Sequence, residues 1–384
     1  MQNRKARRLV LHAGLPKTAT TSIQNAIFTV RNRLQDEAGI LYPGTDPNHT
    51  SALCTAFLTD PRDHISNKIA GFTDLEALRQ TAAHIRADLS LEIETASPDT
   101  ILFSAEGMSN LSCAELTDFR NWALRFAEQI EVLYIVRQPL HYTTSVIQQH
   151  LKGGDILEDM YANPPLANFR GRISNAIAAF GREAVAVRKF EDMIVHPDGV
   201  VGFFLDCVGV TQAGLRKAAV EAQCFENESL SHEAALILSS LNRQRPAFVD
   251  GQRAPMRTFN ELGIIEQIRG VKFYLPEDVR EKVTELSKPD TIWLADTFDI
   301  GSYLEPFRGA VPVPGATLSK ATIDSVALLL SNLINDRHAS TLTQRARSKL
   351  KEADADEMCA LASEIRRVAP ARPLPDFLRA FVKG

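Results

Sequence analysis

The sequence predicts an α/β fold: a parallel sheet with helices on both faces, followed by a helical C-terminal extension. Three observations carry this. Short apolar and β-branched runs recur at residues 8–12, 100–104 (TILFS) and 132–136 (VLYIV). They are continuously apolar, as strands buried on both faces must be. Stretches of helical period separate them, at 20–37, 75–95, 116–128, 139–151 and 166–180. Residues 184–187 (AVAV) read as a fourth strand and 40–42 (ILY) as a short one. Strands alternating with helices form βαβ units, and ligands of such sheets bind beyond the C-terminal strand ends.

The C-terminal part reads differently. From Ser231 onward the pattern contains no strand, and helices are expected at 232–241, 260–268, 276–286 and 291–295. The segment VPVPGA (311–316) is a break. Behind it Ile323, Val326, Leu330 and Leu333 share one helical face, and Met358, Leu361, Ala362 and Ile365 another. We therefore expect an α/β domain over 1–310 and a helical appendage over 311–384 that packs on the core or serves a partner. A chain of 384 residues has room for both.

Composition narrows the function. Lys and Arg total 43 against 47 Asp and Glu, a net charge of −4, which gives no support to nucleic-acid binding. Any anion site must be local. The basic start (Arg4, Lys5, Arg7, Arg8) leads into an apolar run interrupted by His12 and Gly14 with no small-residue cleavage site, so it reads as a solvated arm rather than a signal peptide. No stretch approaches the ~20 apolar residues of a membrane helix. Cys54, Cys113, Cys207, Cys224 and Cys359 are odd in number and form no C-x-x-C pair. That suits reduced thiols in a cytoplasm rather than a disulfide or zinc scaffold, with Cys113 and Cys359 either reactive or simply buried.

The segment LVLHAGLPKTATTSIQ (9–24) is the most informative. A strand ends in a tight loop, and a helix opens with one Lys and a cluster of hydroxyls, an arrangement suited to an anionic group. It is not a Walker A loop: Gly14 precedes Lys17 by only three positions and Pro16 replaces the second Gly, too short to wrap a triphosphate. Thr18, Ala19, Thr20, Thr21 and Ser22 with the helix's first amides make a cradle for one phosphate, and Lys17 supplies a mobile charge where a leaving oxygen would develop its own. The alternative is an ordinary helix start with a Thr cap and a solvated Lys17.

PKTATTS resembles the 5′-phosphosulfate loop of the sulfotransferases that use 3′-phosphoadenosine-5′-phosphosulfate (PAPS). A second element of that family, which binds the 3′-phosphate, is similar to VLYIVRQPLHYTTSVIQ: a strand ending at Arg137, Pro139 opening a helix, and Ser145 eight residues past the Arg. An Arg at a strand end can fork onto a phosphate while the Ser hydroxyl donates from the helix. Residues 187–210 (VRKFEDMIVHPDGVVGFFLDCVGV) and 227–238 (NESLSHEAALIL) also resemble segments of bacterial relatives. The resemblance spans about residues 9–295 and implies a P-loop-type sheet, PAPS as sulfuryl donor bound by Pro16 to Ser22, Arg137 and Ser145, and no metal. The C-terminal RKGxxGxWK nucleotide segment of the cytosolic enzymes is missing.

Transfer to a hydroxyl needs a proton acceptor, in this superfamily commonly Glu or His. Glu106 directly follows the third strand and is the first candidate, alongside its reading as a loop carboxylate. His49, after a Pro- and Gly-rich loop that suits an acceptor pocket, is the second. His12 orients Pro16 and Lys17, touches substrate or is structural, and His141 and His150 read as surface or packing residues. The acceptor group is expected to be a hydroxyl or an amine, and a glycan, a lipid head group or a small alcohol would all fit. Two rivals are a P-loop kinase or NTPase, which would want a longer glycine loop and a strand-end Asp for Mg²⁺, and a catalytically inactive nucleotide-binding protein.

Overall fold

The five apolar runs form one parallel sheet. In the computed structural model its strands are β1 (Ala6–His12), β2 (Ile40–Leu41), β3 (Thr100–Ser104), β4 (Ala127–Val136) and β5 (Val185–Lys189), ordered β2-β3-β1-β4-β5. The structure describes residues 4–223, 229–249, 252–254, 257, 259–301, 303, 319–349, 355–370 and 374–379. Cys224, the first two residues of the 227–238 segment, the 311–316 break and the expected boundary at 310/311 lie outside them.

β1 is central, with β3 on one side and β4 on the other. His12 pairs with Ser104 and with Leu133, so β1 and β3 end level while β4 runs on to Val136. The chain changes sides of β1 between β3 and β4, and the crevice beyond such a switch point is where open α/β sheets bind ligands.

Both faces are covered, which is why the strands read as unbroken apolar runs. On one face Val10, Leu102, Leu133 and Ile135 pack with Ile23 and Ile27 of the helix Thr20–Thr29 and with Val201, Phe204 and Leu205 of the helix Gly199–Val208. On the other, Phe103 meets Phe119 and Trp122 at centroid distances of 6.3 and 6.2 Å. These belong to the helix Cys113–Ala123, which opens with a Ser112–Glu115 capping box.

Several boundaries differ from expectation. The helix expected over 20–37 is two, Thr20–Thr29 and Arg31–Ala38, joined at Val30, whose N–H is shared between Ala26 and Ile27 carbonyls. The helix expected to 128 stops at Ala123, because Ala127 already pairs with Ala6 of β1. The segments expected at 276–286 and 291–295 are one helix, Glu277–Phe298, which passes through Pro289; proline's fixed φ is helical although its N–H bond is lost. A two-residue antiparallel pair, Phe248–Val249 with Gln252–Arg253, occurs where no strand was expected; it is too short to show an alternating pattern.

The chain divides into two compact units: Met1–Tyr142, Leu166–Asn227 and Val283–Phe307 form one, and Thr143–Pro165, Glu228–Lys282 and Arg308–Gly384 the other. The first holds the sheet. Among its described residues the second consists of helices and the short antiparallel pair with their connections, and the apolar face of helix Ala355–Val368 (Met358, Leu361, Ala362, Ile365) is buried as its periodicity implies, against Ala339, Leu342 and Ala346 of helix Lys320–Lys349. The N-terminal half of that longer helix departs from its pattern. Ala327, Ser331, Ile334 and Asn335 are buried while Leu333 stays 57% exposed. Polar partners decide this: Arg245 donates to Ser331 Oγ at 2.8 Å, and the buried Arg257–Glu261 pair (2.9 Å) reaches Ser331 through Glu261. Among the described residues no helix is long and apolar enough to cross a membrane.

Candidate active site

The loop from Ala13 to Ala19 lies at the C-terminal end of β1, at the switch point. Backbone bonds extend the sheet into it: Ala13 N–H donates to Leu133 O at 3.0 Å and Leu15 N–H to Ile135 O at 3.5 Å. Thr18 is fully buried and its hydroxyl donates to Leu15 O at 2.6 Å, closing the turn on itself. Lys17 and Ala19 have φ of 67° and 60°, left-handed backbone that costs a non-glycine residue about 1–2 kcal/mol. Alternating backbone of this kind turns successive N–H groups toward one point, an anion-binding nest.

Ala19 is the N-cap of helix Thr20–Thr29, and no side chain caps it; the first turn has no acidic residue either. The positive end of the helix is therefore open in the direction of the loop, beside Lys17. Thr20 is buried and its hydroxyl lies 3.4 Å from that of Thr18. Thr21 is exposed, and Pro16, Lys17 and Ser22 are half-buried.

Arg137, one residue beyond β4, joins the same loop. Its Nη1 donates to Lys17 O at 2.9 Å and its guanidinium sits 4.9 Å over the Phe190 ring. Burial lowers its pKa, partly offset by nearby Glu191. Glu191 binds the start of the next helix, accepting from Gln138 N–H at 2.9 Å, and its other oxygen is 2.8 Å from the Tyr303 hydroxyl. Ser145 lies on the helix Pro139–Gly153, in the second unit, whereas Arg137 belongs to the first.

Glu106 opens a short 3-10 turn directly after β3. Burial raises its pKa, opposed by Lys17, by a hydrogen bond from Thr20 and by Arg172. The strand-end carboxylate, the loop lysine and the first helical hydroxyl are thus neighbours. Sequence reasoning missed Arg172, whose charge lowers the Glu106 pKa, and Tyr134 and Tyr142, whose pKa values burial raises. No motif spacing marks them; only folding brings the helix Phe169–Phe180 to the turn Glu106–Asn110, where Arg172 Nη1 donates to Ser109 Oγ at 3.1 Å.

His49 is placed otherwise. It is buried, Ser104 N–H donates to its Nδ1 at 2.9 Å, and its Nε2 lies 2.6 Å from Pro43 O. The two bonds select one tautomer: Nδ1 must accept, so Nε2 carries the proton and donates. Both ring nitrogens are spent, and burial lowers the pKa to about 4. His12 is also wholly buried, with Nδ1 2.8 Å from Ser104 Oγ and Nε2 under Gly14, where a Cβ would come within 2.5 Å of it. Its pKa falls to about 3 through burial. Gln24 completes this layer, donating to Ser104 O at 3.1 Å.

Comparison with known proteins adds a structural likeness. No family model and no curated protein matches the chain. Among solved structures, a sulfotransferase from Alicyclobacillus acidocaldarius is similar at 13% identity and a TM-score of 0.39, over 77% of this chain and 96% of that one.

Proposed function

We propose that this chain is a PAPS-dependent sulfotransferase acting on the hydroxyl of a small molecule or glycan. The observation that carries the reading is the β1 loop: a short left-handed turn delivers Lys17 and an uncapped helix N-terminus to one point, and Arg137 ties to that loop from the neighbouring strand. The donor set is cationic and amide-rich, which fits a phosphosulfate and a second phosphate. Residues Pro16 to Ser22 would hold the 5′ side. Arg137, with Ser145 by resemblance, would hold the 3′-phosphate.

When bound, PAPS supplies an activated sulfuryl group and leaves as adenosine 3′,5′-bisphosphate. This chain's residues do the rest. The Lys17 ammonium meets negative charge growing at the loop, with the helix amides beside it. Glu106 takes the proton of the attacking hydroxyl; its raised pKa makes it a stronger base than an exposed carboxylate, and β3 holds it rigidly. His49 enters as a positioning residue that locks Ser104, two residues before Glu106.

The test is thermal stabilisation by nucleotides. Adenosine 3′,5′-bisphosphate should stabilise the protein well beyond AMP or ATP with Mg²⁺. Arg137→Ala should remove about 1.5–3 kcal/mol of that binding, the scale of a hydrogen bond to a charged group. Equal shifts from all three nucleotides, or a shift with Mg²⁺-ATP alone, overturn the reading.

A further inference from the structure

The helix Glu277–Phe298 ends beside the start of β5. Arg182, just before that strand, donates from Nε and Nη2 to Thr297 O at 3.0 and 2.6 Å, and its guanidinium sits 4.0 Å over the Phe298 ring. The last carbonyls of a helix have no intrahelical partner, so a cation is stabilising at that end. Asp299 and Gly301 then take φ of 50° and 71°, left-handed backbone that no right-handed helix continues. Tyr303 lies at the other end of the strand: the ammonium of Lys189, the last residue of β5, is 4.8 Å from its ring centroid.

The Tyr303 hydroxyl lies 2.8 Å from Glu191 Oε2 and 3.1 Å from Val136 O, and the other oxygen of Glu191 accepts from Gln138 N–H at 2.9 Å. A phenol has one proton, so the two acceptors share it, the carboxylate taking the larger part. Burial raises the Tyr303 pKa and Glu191 raises it further, which keeps the phenol a donor. Val136 and Gln138 are the residues on either side of Arg137. One carboxylate and one hydroxyl thus bracket the two residues that flank the arginine. Regular structure does not hold it there: β4 pairing stops at Val136, opposite Lys189, and the next helix opens at Pro139. The Arg137 side chain reaches the β1 loop, where Nη1 donates to Lys17 O at 2.9 Å. Binding groups have to be held to about 0.5 Å, and a backbone rotation at residues 136–138 is magnified at the end of a side chain as long as arginine's. All these residues belong to the first compact unit.

We infer that Tyr303 and Glu191 are positioning residues for Arg137, holding its backbone from both sides so that the guanidinium is set to meet a phosphate at the β1 loop. That this phosphate is the 3′-phosphate of the nucleotide rests on the sulfotransferase reading, while the bracket rests on the three bonds to Val136, Gln138 and Glu191. Neither residue needs to touch the nucleotide. Their effect passes through the arginine, and it should be felt by the phosphate that Arg137 holds and by no other part of the ligand.

The experiment is calorimetric titration of the full chain with adenosine 3′,5′-bisphosphate and with AMP, which lacks the 3′-phosphate. The ratio of the two dissociation constants then reads the contribution of that phosphate alone. Tyr303→Phe keeps the ring beside Lys189 and deletes the hydroxyl. It should lower the ratio about three- to tenfold, the worth of one hydrogen bond, and leave AMP affinity within about twofold. Glu191→Ala removes the bonds to both Gln138 and Tyr303 and should lower the ratio at least as far. In an Arg137→Ala background Tyr303→Phe should change the ratio by less than about twofold, because a positioning residue has no effect without the side chain it positions. Equal weakening of both nucleotides by Tyr303→Phe, an unchanged ratio, or a loss that adds to that of Arg137→Ala overturns the inference and leaves the sulfotransferase reading in place. A ratio near unity in the unaltered protein overturns that reading and the inference with it.

Discussion

Acidification should destabilise this protein through His49, and the size follows from its burial. Protonating Nδ1 would set a second donor against Ser104 N–H at 2.9 Å in a buried site. Burial holds the folded pKa at about 4 against an ordinary 6.5. A group depressed in the fold contributes stability that is complete above its unfolded pKa and is lost as pH falls toward the folded one. The loss is about 1.4 kcal/mol per pH unit, so lowering pH from about 6.5 to about 5 costs roughly 2 kcal/mol for this residue. His12, held at about 3, adds a loss of the same sign and similar size. Against a total stability of about 5–15 kcal/mol this is a large share. The assay is urea unfolding at the two pH values for the unaltered protein and for His49→Asn. Asn keeps an acceptor for Ser104 N–H and lacks the titration. The variant should be less stable near neutrality by about 1–3 kcal/mol, having lost the Pro43 bond. It should also lose about 2 kcal/mol less than the unaltered protein on acidification. Parallel pH profiles for the two proteins would refute the buried neutral histidine and reopen His49 as a proton carrier.

Two predictions concern turnover. Lys17→Met should lower the transfer rate about a hundredfold or more while nucleotide affinity stays within about tenfold, because its charge meets charge that grows in the transition state; an active variant contradicts the mechanism. Glu106→Gln should abolish transfer, measured with labelled sulfate, and leave adenosine 3′,5′-bisphosphate binding intact. In the unaltered enzyme the rate should rise with pH through the raised Glu106 pKa, since the base must be ionised, and Lys17→Met should move that limb to higher pH by removing an influence that lowers it. Stability runs the opposite way: a carboxyl whose folded pKa is raised contributes below its unfolded value and loses that contribution as pH rises. Glu106→Gln should therefore match or exceed the melting temperature of the unaltered protein at neutral pH, and a clear drop would argue that the charged form is structurally required.

The sequence by itself determined the strands and the loop, because both are local. A strand buried on two faces must be apolar at every position, so β1, β3 and the second half of β4 stand out as unbroken runs. The loop is legible because Gly14, Pro16, Lys17 and the hydroxyl cluster adjoin in the chain. Its inner workings were not: Thr18 turns its hydroxyl back to Leu15 O, and the uncapped helix start at Ala19 depends on backbone angles. Pattern also failed where two periodicities compete, as at Ala127, claimed by β1 pairing rather than by the preceding helix, and along Lys320–Lys349, where Arg245 and Glu261 draw Ser331 inward and leave Leu333 outside. His49 and Glu106 look equally able to carry a proton in the chain, and only tertiary structure separates them: burial between two backbone partners spends one, while the end of β3 sets the other beside Lys17 and Thr20. Arg172 lies far along the chain from Ser109, so nothing local links them. Their meeting was decided by the packing of Phe169–Phe180 against the turn after β3, because residues remote in sequence become neighbours only when the sheet and its covering helices bury their apolar faces together.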